Sequence, residues 1–293
     1  MQRRTFGKVV GAAALGLALP ARATTPASEH LVQHDLKLDG DARLARRALL
    51  LVPRDAPADT PLSLLVLLHG LGETGNEQLG IHAWGDRYGL VTSYDRLRAA
   101  PIARTMPKLR YLTDAHLAQL NASLVQRPFG PVALVCPVTP NPYKPGPSDR
   151  VIERYGDWLE KTLLPAVRER VNVESVGLDG CSLGGFVGIE LFLRKPELFA
   201  TFGGVQSAFS APAALRYAER LAETISRVGP RPVRLGTSSE DPYRNANEVM
   251  SKRLHELGVP NVLSVLPGPH NQPWLREIGT LDMLLWHQRQ LAR

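Results

Sequence analysis

The most specific chemical signal in the sequence is a serine between glycines, in the segment Gly180–Gly185, which reads G-C-S-L-G-G. This segment contains the pattern G-x-S-x-G and lies between a run typical of a buried strand and a run typical of a helix. In a tight strand-to-helix turn, glycines on both sides avoid clashes and the serine oxygen is exposed. The pattern therefore predicts a nucleophile at Ser182, and a glycine-rich turn with a structural serine is the alternative.

A serine becomes nucleophilic only beside a general base, and His270 is the histidine best placed to be that base. It lies in a Gly/Pro-rich loop, residues 267–274, after the last predicted strand, where it could reach the carboxyl edge of a sheet. Most other histidines lie near the termini, in a long insertion or on an amphipathic helix. His69 follows an early strand, and we expect it to order the loop there rather than to transfer protons.

The carboxylate that would orient this base is expected between the serine and the histidine, after a late strand. The segment Thr237–Pro242 follows the candidate strand at 233–236, and Asp241 is the favoured acid, with Glu240 as the alternative. The proline after Asp241 would fix the direction of the local turn. The order serine, acid, histidine separates this arrangement from unrelated folds that use the same three groups.

Acyl transfer also needs two backbone N–H groups that stabilise the developing oxyanion. One of them belongs to the residue after the nucleophile, which is Leu183. The other comes from the loop after an earlier strand, and the sequence H-G-L-G at His69–Gly72 follows the apolar run 62–68. We therefore expect the N–H of Leu71 to be the second donor.

Apolar runs that alternate with helical patterns predict an α/β fold, with a mostly parallel central sheet and helices on both faces. The candidate strands are 62–68, 132–136, 176–179, 202–206, 233–237 and 262–266, and residues 36–51 would supply an antiparallel edge pair. The candidate helices are 113–126, 150–169, 183–193, 212–227, 245–257 and 275–291.

A long insertion follows the first strong parallel strand, because about 60 residues separate the runs at 62–68 and 132–136. Most connections in α/β domains are far shorter, and long ones often form part of a binding pocket. We expect residues 73–130 to be a pocket wall, and a longer crossover without a role in binding is the alternative. Trp274, four residues after the candidate base, is expected to contact substrate.

The first 23 residues have the organisation of an export signal: a basic start, an apolar run of 11 residues and the sequence A-R-A at Ala21–Ala23. This run is shorter than the roughly 20 residues that span a bilayer. The pair Arg3-Arg4 resembles the twin-arginine type of signal, and an ordinary secretion signal is the alternative. We therefore expect an exported protein, periplasmic or secreted, whose remaining residues, 24–293, form a single domain without a stable membrane anchor.

Composition argues against several other classes of protein. The 293 residues carry a net charge of +7, but the export signal holds four bases and no acid, so 31 basic and 28 acidic residues remain, a net charge of +3. That charge is too weak for a nucleic-acid-binding protein. The histidines are scattered along the chain and C-x-x-C does not occur, so we expect no metal site and no cofactor.

Four segments of the chain resemble the α/β-hydrolase superfamily, in the esterase branch near feruloyl-esterase-like and esterase-D-like enzymes. The segments are H-G-L-G at His69–Gly72, G-C-S-L-G-G at Gly180–Gly185, G-T-S-S-E-D at Gly236–Asp241, and P-G-P-H ending at His270, with Trp274 beyond it. The resemblance covers roughly residues 35–293 and implies hydrolysis of carboxylic esters through an acyl-enzyme. The insertion matches no pattern of the family, so the substrate class does not carry over. In the sheet order usual for such folds, a third strand separates Cys136 from Cys181, and we expect two buried thiols.

Three functions are consistent with these residues. The leading one is a serine carboxylesterase, in which His270 takes the proton of Ser182 and the serine oxygen attacks a small-molecule ester. The second is an acyltransferase with the same three groups, in which an alcohol or sugar hydroxyl replaces water. The third is a non-catalytic binding protein with a hydrolase fold, which the complete set of serine, histidine, acid and glycines argues against.

Overall fold

One sheet of eight strands forms the centre of the molecule. The computed structural model describes residues 24–57, 59–144 and 148–292, so the predicted export signal lies outside the described residues. The strand order is β1-β2-β4-β3-β5-β6-β7-β8. The strands are β1 (Leu31–Lys37), β2 (Arg47–Pro53), β3 (Leu62–Leu68), β4 (Ala133–Pro137), β5 (Val173–Gly180), β6 (Thr201–Val205), β7 (Val233–Glu240) and β8 (Asn261–Pro269).

Helices connect most of the strands. In the described part of the chain they are α1 (Glu77–His82), α2 (Leu90–Arg98), α3 (Asp114–Gln126), α4 (Ser148–Trp158), α5 (Leu164–Arg168), α6 (Leu183–Arg194), α7 (Ala211–Val228), α8 (Arg244–Glu256), α9 (Gln272–Trp274) and α10 (Thr280–Leu291). Short 3₁₀ turns cover Leu71–Glu73 and Pro196–Leu198, and π-helical turns cover Ala83–Arg87, Leu159–Leu163 and Leu275–Gly279. None of these described helices has the length and apolar character that a membrane span requires.

The pairing of the strands is parallel from β4 through β3 to β8, whereas β2 runs antiparallel to both β1 and β4. All seven residues of β3 are buried, as expected for a central strand covered on both faces. The prediction of a mostly parallel sheet is therefore confirmed. The predicted antiparallel edge pair is present, but it begins at Leu31 and ends at Pro53 rather than within 36–51.

Helices cover both faces of the sheet, as two neighbouring residues of β6 show. Thr201 and Phe202 point to opposite faces because side chains alternate along a strand. The Thr201 hydroxyl lies 3.0 Å from Nδ1 of His287 on α10. Phe202 instead lies against α6, where a Cβ on Gly188 would be 3.6 Å from its ring. Helices α10 and α6 therefore pack on opposite faces, as predicted.

The long insertion is a folded part of the domain that is anchored to the chain just before α10. Glu277 is completely buried and its carboxylate accepts hydrogen bonds from the backbone N–H groups of Thr105 and Met106. The guanidinium of Arg96 donates to the Glu277 carbonyl over 2.8 Å. These bonds fix the irregular stretch after α2 against the same layer of structure that contains α10.

Both cysteines are free thiols. Cys136 lies on β4 and Cys181 directly follows β5, and β3 lies between these two strands. Burial raises the pKa of each thiol, so both stay protonated. The prediction of two unpaired, buried thiols is confirmed.

A buried acid–histidine pair lies beneath the candidate nucleophile turn. Nε2 of His287 is 2.9 Å from Oδ2 of Asp179, and both side chains are inaccessible. The other carboxylate oxygen accepts the Gly180 N–H over 2.7 Å, and Nδ1 of the histidine accepts the Thr201 hydroxyl. Burial lowers the pKa of His287, although Asp179 opposes the shift. The neutral ring with its proton on Nε2 satisfies every one of these contacts.

We predict that the free energy of unfolding falls as the pH is lowered from about 7 to about 5. A histidine whose pKa is lower in the folded state gains its proton on unfolding, so its stabilisation is present above ~6.5 and is lost below that value. His287→Gln keeps an N–H donor for Asp179 but does not titrate. Urea unfolding should show a smaller loss of stability in this variant between the two pH values. An equal loss of stability in the wild type and the variant would contradict the lowered pKa of His287.

Candidate active site

Ser182 occupies a strained turn between β5 and α6. Its backbone has φ +55° and ψ −114°, a conformation that residues other than glycine rarely adopt. Two hydrogen bonds hold the turn against the end of β6: the Ser182 N–H donates to the Val205 carbonyl over 2.9 Å, and the Ser182 carbonyl accepts the Ala208 N–H over 3.0 Å. The side chain is partly exposed. Such strain persists only where the surroundings fix it, and it is often found at functional sites.

Glycine is required on both sides of Ser182 because a side chain would have no room. A Cβ on Gly180 would overlap the carbonyl of Gly184, and a Cβ on Gly184 would overlap the carbonyl of Leu68 on β3. The close approach allows α6 to begin directly after the serine. The positive end of this helix dipole therefore points at the serine.

His270 and Asp241 form a hydrogen-bonded pair. Nδ1 of His270 lies 2.9 Å from Oδ1 of Asp241, and the histidine side chain is 25% exposed while the aspartate side chain is fully buried. The carboxylate also accepts the Thr237 hydroxyl over 2.6 Å and the Tyr243 N–H over 3.0 Å. These bonds fix the carboxylate, which in turn holds the imidazole with its proton on Nδ1. Nε2 then remains available to accept a proton.

Glu240, the alternative acid, is exposed at the end of β7. In the described part of the chain no hydrogen bond joins it to His270, whose Nδ1 pairs with Asp241. The geometry therefore favours Asp241 as the partner of the histidine.

The serine, the acid and the histidine lie at one edge of the sheet. Ser182 follows β5, Asp241 follows β7 and His270 follows β8, and these strands are parallel, so their carboxyl ends share that edge. Among the described residues, the Ser182 hydroxyl forms no hydrogen bond with His270 in this conformation. Such bonds are commonly long before substrate binds and tighten in the complex.

Gln206 connects the three strand ends, and no local sequence pattern marks it as a site residue. It is completely buried and adopts φ +50° directly after β6. Its side-chain amide donates to the Ser238 hydroxyl over 2.7 Å and to the Pro269 carbonyl over 3.2 Å. Ser238 precedes the acid by three residues and Pro269 immediately precedes the histidine. Gln206 therefore fixes the spacing between the elements that carry the two groups.

The two candidate oxyanion donors begin helical segments. Leu71 is the first residue of the 3₁₀ turn that ends at Glu73, and Leu183 is the first residue of α6. An N–H at this position has no acceptor within its own helix. A Cβ on Gly70 would lie 3.7 Å from Cβ of Ser182, so the two turns are adjacent. In the described part of the chain neither N–H forms a hydrogen bond, and two such donors beside a serine are what an oxyanion requires.

His69 orders the loop after β3. It is fully buried, and its Nε2 accepts the Thr139 N–H over 2.8 Å while its Nδ1 lies 2.9 Å from the Gly70 carbonyl. Its own N–H donates to the Thr139 hydroxyl over 2.8 Å. Burial lowers the pKa of His69, so the ring is neutral with its proton on Nδ1. Both ring nitrogens are therefore occupied by backbone groups, which matches a structural role and leaves neither nitrogen free to transfer a proton.

Trp274 requires a correction. It is 0% exposed, and a Cβ on Gly279 would overlap its ring, so it packs in the core, where a substrate cannot reach it. The short helix α9 turns the ring inward, which sequence spacing alone does not reveal. Tyr111 of the insertion packs against the loop that contains Gly268, because a Cβ on that glycine would be 2.7 Å from the tyrosine ring. The insertion thereby reaches the loop that carries His270.

Two cavities differ in their relation to these groups. One of about 690 Å³ is lined by Val233 and Asn261, the first residues of β7 and β8, and so lies at the opposite edge of the sheet from Ser182. Another, of about 280 Å³, is lined by Thr74 and Thr139, close to the turn that begins at Leu71. Within the described ranges, no group of three or more His, Cys, Asp or Glu side chains is arranged to hold a metal ion.

Known structures share this architecture at low sequence identity. No protein-family model and no curated protein matches the sequence. A ferulic acid esterase superimposes with a TM-score of 0.63 at 15% identity, over 89% of this chain and 98% of that chain. The feruloyl esterase module from Clostridium thermocellum, in complex with sinapinate, gives 0.57 at 14% identity, over 92% and 93%. The chain has the α/β-hydrolase fold.

A third α/β-hydrolase structure, S-formylglutathione hydrolase from Staphylococcus aureus, gives a TM-score of 0.53 at 15% identity, over 90% of this chain and 99% of that chain. These likenesses extend over nearly the whole described chain and confirm the predicted fold class. At such identities they establish the fold alone. The chemistry of the site must therefore be argued from this chain's own residues.

We predict that Asp241→Asn lowers turnover of an ester by about 10⁴-fold, because the amide cannot hold the histidine in the tautomer with its proton on Nδ1. Glu240→Gln, the matched control on the same loop, should leave turnover within about threefold, since its side chain is exposed. Steady-state kinetics of both purified variants provide the measurement. Equal effects, or a larger loss in the Glu240 variant, would overturn the assignment of the acid.

Proposed function

We propose that this protein is a serine carboxylesterase that acts through an acyl-enzyme. The observation that carries the proposal is the pair of His270 and the buried Asp241, 2.9 Å apart, at the same sheet edge as the strained Ser182. The fold also contains a second acid–histidine pair, Asp179 and His287, but neither of its side chains is accessible. Only the first pair can exchange protons with a bound substrate.

In the proposed reaction, the Ser182 oxygen attacks the ester carbonyl carbon while its proton passes to Nε2 of His270. Asp241 stabilises the imidazolium that forms. The N–H groups of Leu71 and Leu183 stabilise the negative charge on the former carbonyl oxygen. The histidine then gives its proton to the departing alcohol, which leaves the acyl group on the serine. Water then attacks the acyl group by the same steps, which releases the carboxylic acid and restores the serine.

Aromatic side chains near the serine favour an aryl ester as substrate. Phe186 lies on the first turn of α6, four residues after Ser182, and the 65% exposed ring of Tyr143 stacks on it with centroids 6.1 Å apart. The ring of Tyr243 packs edge-on against His270 at 5.6 Å. Exposed aromatic rings bind planar aromatic groups through stacking and apolar burial. Two of the similar structures described above are named as ferulic or feruloyl esterases.

The test is a panel of esters together with a serine-reactive phosphonate. Wild-type protein should hydrolyse methyl ferulate with a higher kcat/KM than methyl propionate, and a fluorophosphonate should attach once, at Ser182. Ser182→Ala should abolish turnover and labelling without loss of thermal stability, because a strained turn gains nothing from the hydroxyl. Ser226→Ala, on the exposed face of α7, should retain both.

Each outcome of this panel has a defined meaning. Wild-type protein that neither hydrolyses esters nor reacts with small phosphonates would contradict the proposal and leave a binding protein with a hydrolase fold. Activity that prefers methyl propionate would contradict only the aryl substrate class. Labelling at another residue would contradict the assignment of Ser182.

A further inference from the structure

A tyrosine hydroxyl from the insertion closes the turn that carries Leu71. Oη of Tyr88 accepts the Gly70 N–H over 3.1 Å and donates to Oε2 of Glu73 over 2.6 Å. Gly70 and Glu73 lie on either side of Leu71 in the sequence. One hydroxyl therefore fixes the backbone on both sides of the candidate oxyanion donor.

The tyrosine is itself fixed in the core. Tyr88 is buried, its ring packs edge-on against Trp84 with centroids 5.2 Å apart, and its carbonyl accepts the Thr280 hydroxyl at the start of α10 over 2.7 Å. A Cβ on Gly70 would approach the tyrosine oxygen to 3.0 Å, so only glycine leaves the hydrogen bond undisturbed. The position of Oη is thus set by the insertion and by α10, not by the turn.

The charge of Glu73 is compensated where it lies. Its carboxylate is buried, and Oε1 accepts Nη1 of Arg87, the residue before Tyr88, over 3.1 Å. An uncompensated carboxylate beside the serine would oppose the negative charge of an oxyanion. Burial raises the pKa of Tyr88, and the charge of Glu73 raises it further, so the hydroxyl stays protonated and remains a donor.

We propose that Tyr88 and Glu73 are positioning residues that hold the Leu71 N–H in the direction the oxyanion requires. The inference rests on the proposed esterase function and assigns the insertion a part in the reaction beyond that of a pocket wall. Neither side chain has to touch substrate. Their contribution appears when the carbonyl carbon becomes tetrahedral and its oxygen becomes negative, so it affects the transition state more than the bound ester.

The central test compares Tyr88→Phe with Tyr94→Phe. Tyr94 is also buried in the insertion, and its hydroxyl accepts one backbone N–H, that of Val132, over 3.3 Å. Both variants leave one buried N–H without an acceptor, and Tyr88→Phe also removes a donor from the Glu73 carboxylate, so we expect the melting temperature to fall in both variants and further in Tyr88→Phe. Tyr88→Phe should lower kcat by about 10- to 100-fold with KM nearly unchanged, because the donor is displaced rather than removed. Tyr94→Phe should keep kcat close to wild type.

A second readout separates positioning from loss of structure. An arylboronic acid forms a tetrahedral adduct with the serine, so its inhibition constant should rise in Tyr88→Phe by the same factor by which kcat falls. The inhibition constant of the product carboxylic acid should not change. Glu73→Gln keeps an acceptor for the Tyr88 hydroxyl and should retain more activity than Glu73→Leu, which has none.

Four results would count against the inference. Equal kcat values in the Tyr88 and Tyr94 variants would overturn it. A higher KM in Tyr88→Phe, together with equally weaker binding of the boronate and of the product acid, would also overturn it. A Glu73→Leu variant as active as Glu73→Gln would show that the carboxylate has no part in it. A wild-type protein that neither hydrolyses esters nor binds the boronate would overturn the proposed function itself, and the inference with it.

Discussion

The strained backbone of Ser182 is the constraint around which the site is built. A residue at φ +55° stays there only because the chain on both sides is too close to the neighbouring strands for any other path. Gly184 lies against the end of β3, and the serine's own N–H and carbonyl are bonded to the last residue of β6 and to the chain just after it. The two central strands on either side of β5 therefore impose the turn. The sheet, rather than the local sequence, supplies the free energy that keeps it.

Once the turn is fixed, the remaining groups follow from strand order. β3 brings the turn that begins at Leu71 next to the serine, and β7 and β8 bring Asp241 and His270 from the other side. Gln206 bonds to both of those strand ends, and Tyr88 bonds to both sides of the turn that begins at Leu71. These two buried side chains act at opposite flanks of the site. Each converts a loop into a fixed support, which is what electrostatic stabilisation of a transition state needs.

The limits of prediction from sequence have physical causes. β3 occurs where the apolar run predicts it, at Leu62–Leu68, because a strand buried on both faces needs a continuous apolar run. β1 has no such apolar run, because only Leu31 and Leu36 of its seven residues are buried, and its start is therefore not predicted from the sequence. The prediction that Trp274 contacts substrate is wrong because spacing gives distance along the chain and not the direction of a ring. The bonds of Gln206 and Tyr88 join residues 15 or more positions apart, beyond the range of any local pattern.

We propose that Ser182 attacks a carbonyl whose oxygen then lies between two backbone donors. The most direct measurement is a crystal structure of the protein after reaction with a small phosphonate, which mimics the tetrahedral intermediate. We expect a bond from phosphorus to the Ser182 oxygen, with the phosphoryl oxygen about 2.7–3.1 Å from the N–H groups of both Leu71 and Leu183. A phosphoryl oxygen that points to solvent, or an adduct on another residue, would contradict it.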